Sequence, residues 1–129
     1  MKFHHFGIAV KSIAEGRALV ESLFGAAVNC VIVRDADGLE LCLLTTEGGA
    51  TMELISGKQV ERFWKDGVYL YHACYQTGNF EQDLEKLQKN GGTVMKQTQH
   101  SALFGNRRLA FVFTEIGIIE LLESGAEKD

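Results

Sequence analysis

The feature that most constrains this chain is that it reads as one unit written twice. Ser12-Ile-Ala-Glu15 has the form of a capping box, an N-cap hydroxyl followed three residues later by a glutamate, and it opens a helix predicted to end near Phe24-Gly25. Asn79-Phe-Glu-Gln82 has the same form, and its helix is predicted to end at Gly91-Gly92. Ser12 to Asn79, Glu15 to Gln82 and Gly25 to Gly92 are each separated by 67 residues, since 79 − 12, 82 − 15 and 92 − 25 agree. A repeat settles the architecture before any single element does.

Each copy follows the same order of elements. Ile13, Val20 and Phe24 lie on one stripe of the first helix, and Phe80, Leu84 and Leu87 on the matching stripe of the second, so each helix buries one side. A strand-like run precedes each helix, Phe3 to Val10 and Leu70 to Gln76, and three runs rich in β-formers follow. In the first half these are Val28 to Arg34, Leu39 to Thr45 and Thr51 to Ile55, divided by Asp37-Gly38 and Gly48-Gly49. In the second they are Thr93 to Gln99, Arg107 to Phe113 and Ile118 to Glu123, divided by Gly105 and Gly117. The predicted fold class is α+β: two tandem βαβββ units, residues 1–57 and 70–124, joined by a connector over 58–69. At 129 residues the two share one domain. The connector carries Phe63 and Trp64 and is expected to be a short helix or ordered segment, whereas residues 125–129 are expected to fray.

Composition narrows the function. A net charge of −4 and a pI near 5.6 leave no basic footprint for a phosphate backbone, which argues against nucleic acid and for a small-molecule partner. Cys30, Cys42 and Cys74 are odd in number, far apart in sequence and without Cys-x-x-Cys spacing, which argues against a disulfide framework or a cysteine zinc site. That usage fits a reducing compartment. The residues from Met1 to Gly7 lack the apolar core of a signal peptide, and no run approaches the roughly 18 apolar residues of a membrane span. The expectation is a soluble, cytoplasmic protein.

Strand alternation then places the chemistry. His5 shares a face with Phe3, Gly7 and Ala9, leaving Phe6, Ile8 and Val10 to cover a helix; His72 points with Leu70, Cys74 and Gln76. Glu53 points away from Met52 and Leu54, and Glu120 away from Ile119 and Leu121, so all four polar groups fall on the side opposite the helices. The repeat connects them, because 72 − 5 and 120 − 53 are again 67. If the units pair about a pseudo-twofold axis, one histidine and one glutamate from each converge. Singly, a strand glutamate is most often solvent-facing and a strand histidine packed or exposed. Jointly, two buried carboxylates call for a countercharge, and two imidazoles with two carboxylates suit one divalent ion: Zn²⁺, Ni²⁺, Co²⁺, Mn²⁺ or Fe²⁺.

At these residues the chain resembles the vicinal oxygen chelate superfamily, which holds glyoxalase I, methylmalonyl-CoA epimerase, extradiol dioxygenases and the bleomycin and fosfomycin resistance proteins. The segments that carry the resemblance are His4-His5-Phe-Gly-Ile-Ala-Val10, Thr51-Met-Glu-Leu-Ile55, Tyr71-His-Ala-Cys-Tyr75 and Gly117-Ile-Ile-Glu-Leu-Leu-Glu123. It spans nearly the whole chain and is nearest in look to methylmalonyl-CoA epimerase, with glyoxalase I close behind. The resemblance implies paired units forming a curved mixed sheet around a central cavity, a homodimer, and a metal that stabilises the enolate formed when a proton is removed beside a chelated carbonyl. By the same resemblance Glu120 falls where glyoxalases have a glutamate serving as ligand and base. The chain departs from the epimerase pattern where a second acid/base glutamate is expected: it has Asp35-Ala-Asp37-Gly38, whose aspartates also read simply as turn residues.

Four further residues are candidate substrate contacts. Alternation sends one of Arg107 and Arg108 inward, where a guanidinium binds carboxylate or phosphate, and surface solvation is the competing reading. His100 lies in the loop before them. Cys74 lies two positions beyond His72 on its face, where a small buried hydrophobe is the default. The leading expectation is a metal-dependent isomerase or lyase acting on a thioester or anionic carbonyl compound, epimerase-like or lactoylglutathione-lyase-like. A non-catalytic small-molecule binding or resistance protein and an iron-dependent dioxygenase are the alternatives; the second glutamate weighs against the dioxygenase, whose facial triad has one carboxylate.

Overall fold

The computed structural model describes residues 1–96 and 98–125. Its elements run β1 (Lys2–Ala9), α1 (Ile13–Phe24), β2 (Ala27–Arg34), β3 (Glu40–Thr46), β4 (Thr51–Ser56), α2 (Glu61–Lys65), β5 (Leu70–Thr77), α3 (Phe80–Lys89), β6 (Thr93–Val94), β7 (Gln99–His100), β8 (Arg108–Thr114) and β9 (Gly117–Glu123). This is an α+β fold of mixed sheet pairing. Of the tail expected to fray, residues 126–129 lie outside the described residues. The chain divides into two compact units, one of His5–Tyr71 and one of Met1–His4 with His72 onward.

In the His5–Tyr71 unit the strands lie in the order β2-β3-β4-β1, with β1 parallel to β4 and the other pairs antiparallel. Ser12 caps α1 as its sequence predicts: its hydroxyl accepts from the Glu15 N–H at 3.1 Å, satisfying a donor that the first turn leaves open. The helix packs Ile13 and Val20 against Val10, Cys42, Leu44, Met52 and Leu54. Leu44 and Leu54 have no exposed surface, a burial that stabilises by about 1.5–3 kcal/mol each. Phe24 does not join this stripe. It is 54% exposed because it ends the helix, and the chain turns at Gly25 with φ 92°. The inward position is taken instead by Gly16, where a Cβ would lie 2.7 Å from Val10 Cγ1. Glycine carries no hydrophobic signal, which is why periodicity passed over it.

The other face of this sheet has its own cluster, in which Ala9, Ile55 and Val60 are packed by Leu39, Leu41, Phe63, Trp64 and Tyr71. The connector is accordingly ordered, a 3₁₀ turn over Lys58–Val60 running into α2.

The second unit has the order β5-β9-β8-β6, with β7 also paired to β8; β5 and β9 are parallel, and β8 is antiparallel to its neighbours. Phe80, Leu84 and Leu87 of α3 pack on Ala110 and Leu121. The cap differs from the predicted one. Asn79 makes no side-chain cap hydrogen bond; Thr77 Oγ1 accepts from the Asn79 N–H at 2.9 Å and donates to Asp83 Oδ2, so Thr77 and Asp83 order the first turn in place of Asn79 and Gln82. The single strand expected over Thr93 to Gln99 is two short ones. Val94 faces Val112 and Gln99 faces Leu109, and residue 97 between them lies outside the described residues.

Candidate metal centre

The two halves build the same pair in the same way. In the His5–Tyr71 unit, Glu53 on β4 stands opposite Gly7 on the parallel strand β1, and His5 is two residues back on the face of Gly7. In the other unit, Glu120 on β9 stands opposite Cys74 on β5, and His72 is two residues back on the face of Cys74. Gly7 and Cys74 are themselves 67 apart, so the register of strand pairing is duplicated along with the residues. In each unit the intervening residues face a helix: Met52 and Leu54 lie in the α1 cluster, and Leu121 lies in the α3 cluster. Both pairs therefore lie on the face opposite α1 and α3, as alternation predicts.

His5 Nε2 lies 3.3 Å from Glu53 Oε1, and His72 Nε2 lies 3.0 Å from Glu120 Oε1. All four residues are buried. An imidazolium–carboxylate hydrogen bond closes to about 2.7–2.9 Å. Two donors held about 2.1 Å from a metal at right angles stand about 3.0 Å apart, and about 3.4 Å at a tetrahedral angle. The observed separations fit this second range, which for His72–Glu120 overlaps an ordinary N–H···O bond, and the donor set suits a borderline divalent ion. Each pair is thus a candidate metal-ligating pair, and one bare carboxylate in such surroundings would otherwise be costly to bury.

Around His72 and Glu120 the structure adds two residues that the sequence reading passed over. Phe111 stands directly opposite Glu120 in the β8–β9 ladder, and its ring meets the His72 imidazole edge-on, 5.2 Å between centroids at 82°. Gln76 shares the buried face of His72 and Cys74, and its Oε1 makes no hydrogen bond among the described residues. Its place two residues beyond Cys74 was the available signal. Cys74 is fully buried.

The arginines separate as alternation requires. Arg108 stands on the α3 side, over the Phe80 ring at 4.8 Å, with its guanidinium shared between Glu81 and Glu123. Those contacts hold both carboxyls below the usual carboxylate range. His100 faces Arg108 across β7 and β8 and so lies on that same side, away from Glu120. Arg107 precedes the strand on the Phe111 side, and its Nε–H donates to the Phe104 carbonyl at 2.8 Å. His4 packs edge-on against Phe104. Asp35 is a turn residue, its Oδ1 accepting from the N–H groups of Asp37 and Leu39 at 3.0 and 2.9 Å.

No described helix is long and apolar enough to cross a membrane. No curated protein matches the chain. Among solved structures, methylmalonyl-CoA epimerase from Mycobacterium tuberculosis is similar with a TM-score of 0.75 and 18% identity, over 96% of this chain and 88% of that one. A variant of Streptomyces coelicolor methylmalonyl-CoA epimerase in complex with 2-nitronate-propionyl-CoA gives 0.73 and 19%, over 100% and 98%. A hypothetical protein from Bacillus halodurans gives 0.71 and 18%, over 99% and 97%. At these identities the likeness establishes the fold. The family model for the glyoxalase/bleomycin resistance protein/dioxygenase superfamily matches residues 4–111, most of the chain, and the protein belongs to that superfamily.

Proposed function

We propose that the protein is a divalent-metal-dependent isomerase or lyase that moves a proton beside a chelated carbonyl, and that His5, Glu53, His72 and Glu120 hold one ion between them. The observation that carries this reading is the pair geometry: two buried His–Glu contacts in duplicated registers, at separations that suit neighbouring metal ligands. When bound, such an ion supplies Lewis acidity, polarising a carbonyl and stabilising the enolate left by proton removal. His5, Glu53 and His72 serve as ligands. Glu120 serves both as ligand and as the base that takes the carbon-bound proton on Oε1 or Oε2 and returns it. Phe111 keeps water from the His72 side, and Gln76 Oε1 is an acceptor for a substrate hydroxyl or amide N–H. Arg107 and Cys74 remain candidate contacts on the same face.

The substrate class is a thioester or hemithioacetal. The similar epimerase structures favour an acyl-CoA thioester. The turn at Asp35 favours a reaction that needs one base: its Oδ1 accepts from two backbone donors, as a turn residue does, which weighs against Asp35 as the second acid/base carboxylate of two-base epimerisation. That observation supports a lactoylglutathione-lyase-like proton shuttle as the second reading.

Metal analysis of protein purified without chelator tests the site. One ion per chain, lost in His72→Ala and Glu120→Gln, is expected; a metal-free protein that still binds small molecules would instead make it a sequestering relative. Incorporation of solvent deuterium into 2-methyl-branched acyl thioesters, against a glutathione hemithioacetal, separates the two substrate readings.

A further inference from the structure

The face that carries His5 and Glu53 has a second feature, which proton transfer does not use. Ala9 shares a face with His5 four residues on, and Ile55 with Glu53 two residues on. Those two residues anchor the cluster onto which Phe63, Trp64 and Tyr71 pack. At about 3.3 Å per residue, this aromatic shelf begins roughly 7–13 Å from the His5–Glu53 pair along the strands. Phe63 and Tyr71 stack with centroids 4.5 Å apart at 19°. Cations cover the shelf: Lys11 Nζ and Lys65 Nζ lie 5.3 and 5.7 Å from the Trp64 centroid, and the Arg62 guanidinium lies 4.8 Å from that of Phe63.

The charge is local. Lys11 and residues 58–66 together carry Lys11, Lys58, Arg62 and Lys65 against Glu61 and Asp66, a net of +2 on this stretch in a chain whose net is −4. Glu61 reaches Lys65 at 3.2 Å, an exposed pair of small worth that a stronger anion readily displaces. Two ammonium groups drawn to one ring repel each other, and a multivalent anion lying between them relieves that repulsion.

We propose that this cation-rimmed shelf binds the phosphate-bearing tail of a thioester whose carbonyl end reaches the His–Glu pairs through a flexible linker. The inference rests on the thioester reading above and deepens it: the shelf, more than the metal, selects the substrate. Trp64 is the chain's single tryptophan, so its emission reports occupancy directly.

The test is titration of the full chain with acetyl-coenzyme A, S-acetylpantetheine and S-methylglutathione, read by Trp64 emission and calorimetry. Acetyl-coenzyme A is expected to bind about tenfold or more tightly than the phosphate-free thioester, a gap that narrows as salt rises. Lys11→Gln with Lys65→Gln is expected to weaken acetyl-coenzyme A about five- to twentyfold, whereas Lys86→Gln with Lys89→Gln, the same charge loss on α3, leaves it unchanged. Equal affinities for the two thioesters, or equal losses in the two double variants, overturn the proposal. Tightest binding of S-methylglutathione overturns the phosphate assignment. Thermal melts of each variant verify folding. Repeating the titration after chelation separates the two proposals: charge-dependent binding without any metal upholds the shelf alone, and metal binding without lysine dependence upholds the metal reading alone.

Discussion

On the metal reading proposed above, stripping the ion is the perturbation with the largest expected effect on the fold. An ion that binds the native state alone, at a free concentration about a thousand times its Kd, stabilises by RT ln(1 + [L]/Kd), about 4 kcal/mol. For 129 residues the unfolding entropy near 60 °C is about 0.27 kcal/mol/K, from roughly 2.1 cal/mol/K per residue, so chelation is expected to lower Tm by about 15 °C. The His72–Glu120 pair provides the control, since its side chains are essentially unexposed. His72→Ala alone leaves a buried carboxylate without its imidazole, a loss of about 3–5 kcal/mol whether or not metal is added. Replacing both members by leucine removes the charge problem and the ligands together, and is expected to give a protein about as stable as the chelated wild type and indifferent to metal. Differential scanning calorimetry with and without Zn²⁺, Ni²⁺, Co²⁺ and Mn²⁺ measures this. A wild-type Tm that moves by less than about one degree in every case, or a shift that survives the double leucine replacement, refutes the reasoning.

Three further outcomes follow from the packing. Gly16→Ala is expected to destabilise by about 1–3 kcal/mol in denaturant titration, because the strain of a Cβ 2.7 Å from Val10 outweighs the roughly 1 kcal/mol that alanine gains in a helix. Burial pushes the Cys42 thiol up to about 11, so it favours folding fully below pH 9 and loses that contribution as pH rises from 9 through 11; iodoacetamide at pH 8 should modify half-buried Cys30 well before Cys42. Arg108 holds the Glu81 and Glu123 carboxyls low, so their contribution is present above the ordinary carboxylate range and is lost as pH falls through their folded values; acid titration of Arg108→Gln, followed by circular dichroism, should lack that step.

The outline of both units was legible because each rests on short-range chemistry. The Ser12 cap, the positive-φ glycines Gly25 and Gly91 that follow α1 and α3, and the alternation that puts His5, Glu53, His72 and Glu120 on the face opposite α1 and α3 all act within a few residues. What escaped was decided by contacts outside the pattern of apolar and capping residues. Asn79 holds the N-cap position of α3 as its sequence predicts, but the side-chain hydrogen bonds there come from Thr77, at the end of the preceding strand, which reaches Asp83. Phe24 looked like core until the turn at Gly25 left it outside. Cys30 and Cys42, twelve residues apart, are brought two rungs apart on one face of the β2–β3 ladder, which no spacing argument could show.

The most informative miss lies where the duplication breaks. Leu43 faces Glu53 across β3 and β4; displaced by 67, its equivalent would be Ala110, yet Phe111 faces Glu120. The second copy has gained one residue between the end of α3 and this point, in the stretch where the expected strand divides into β6 and β7. The slip changes which residue stands beside the carboxylate, because a one-residue shift exchanges the faces of a strand. Glu53 therefore has an aliphatic neighbour and Glu120 an aromatic one that also braces His72. A perfect repeat would make the two carboxylates interchangeable, and a site whose carboxylates were interchangeable would have no reason to move a proton through one and not the other. On the proposed reading, duplication supplies the ligands, and this single-residue break in its symmetry distinguishes the base.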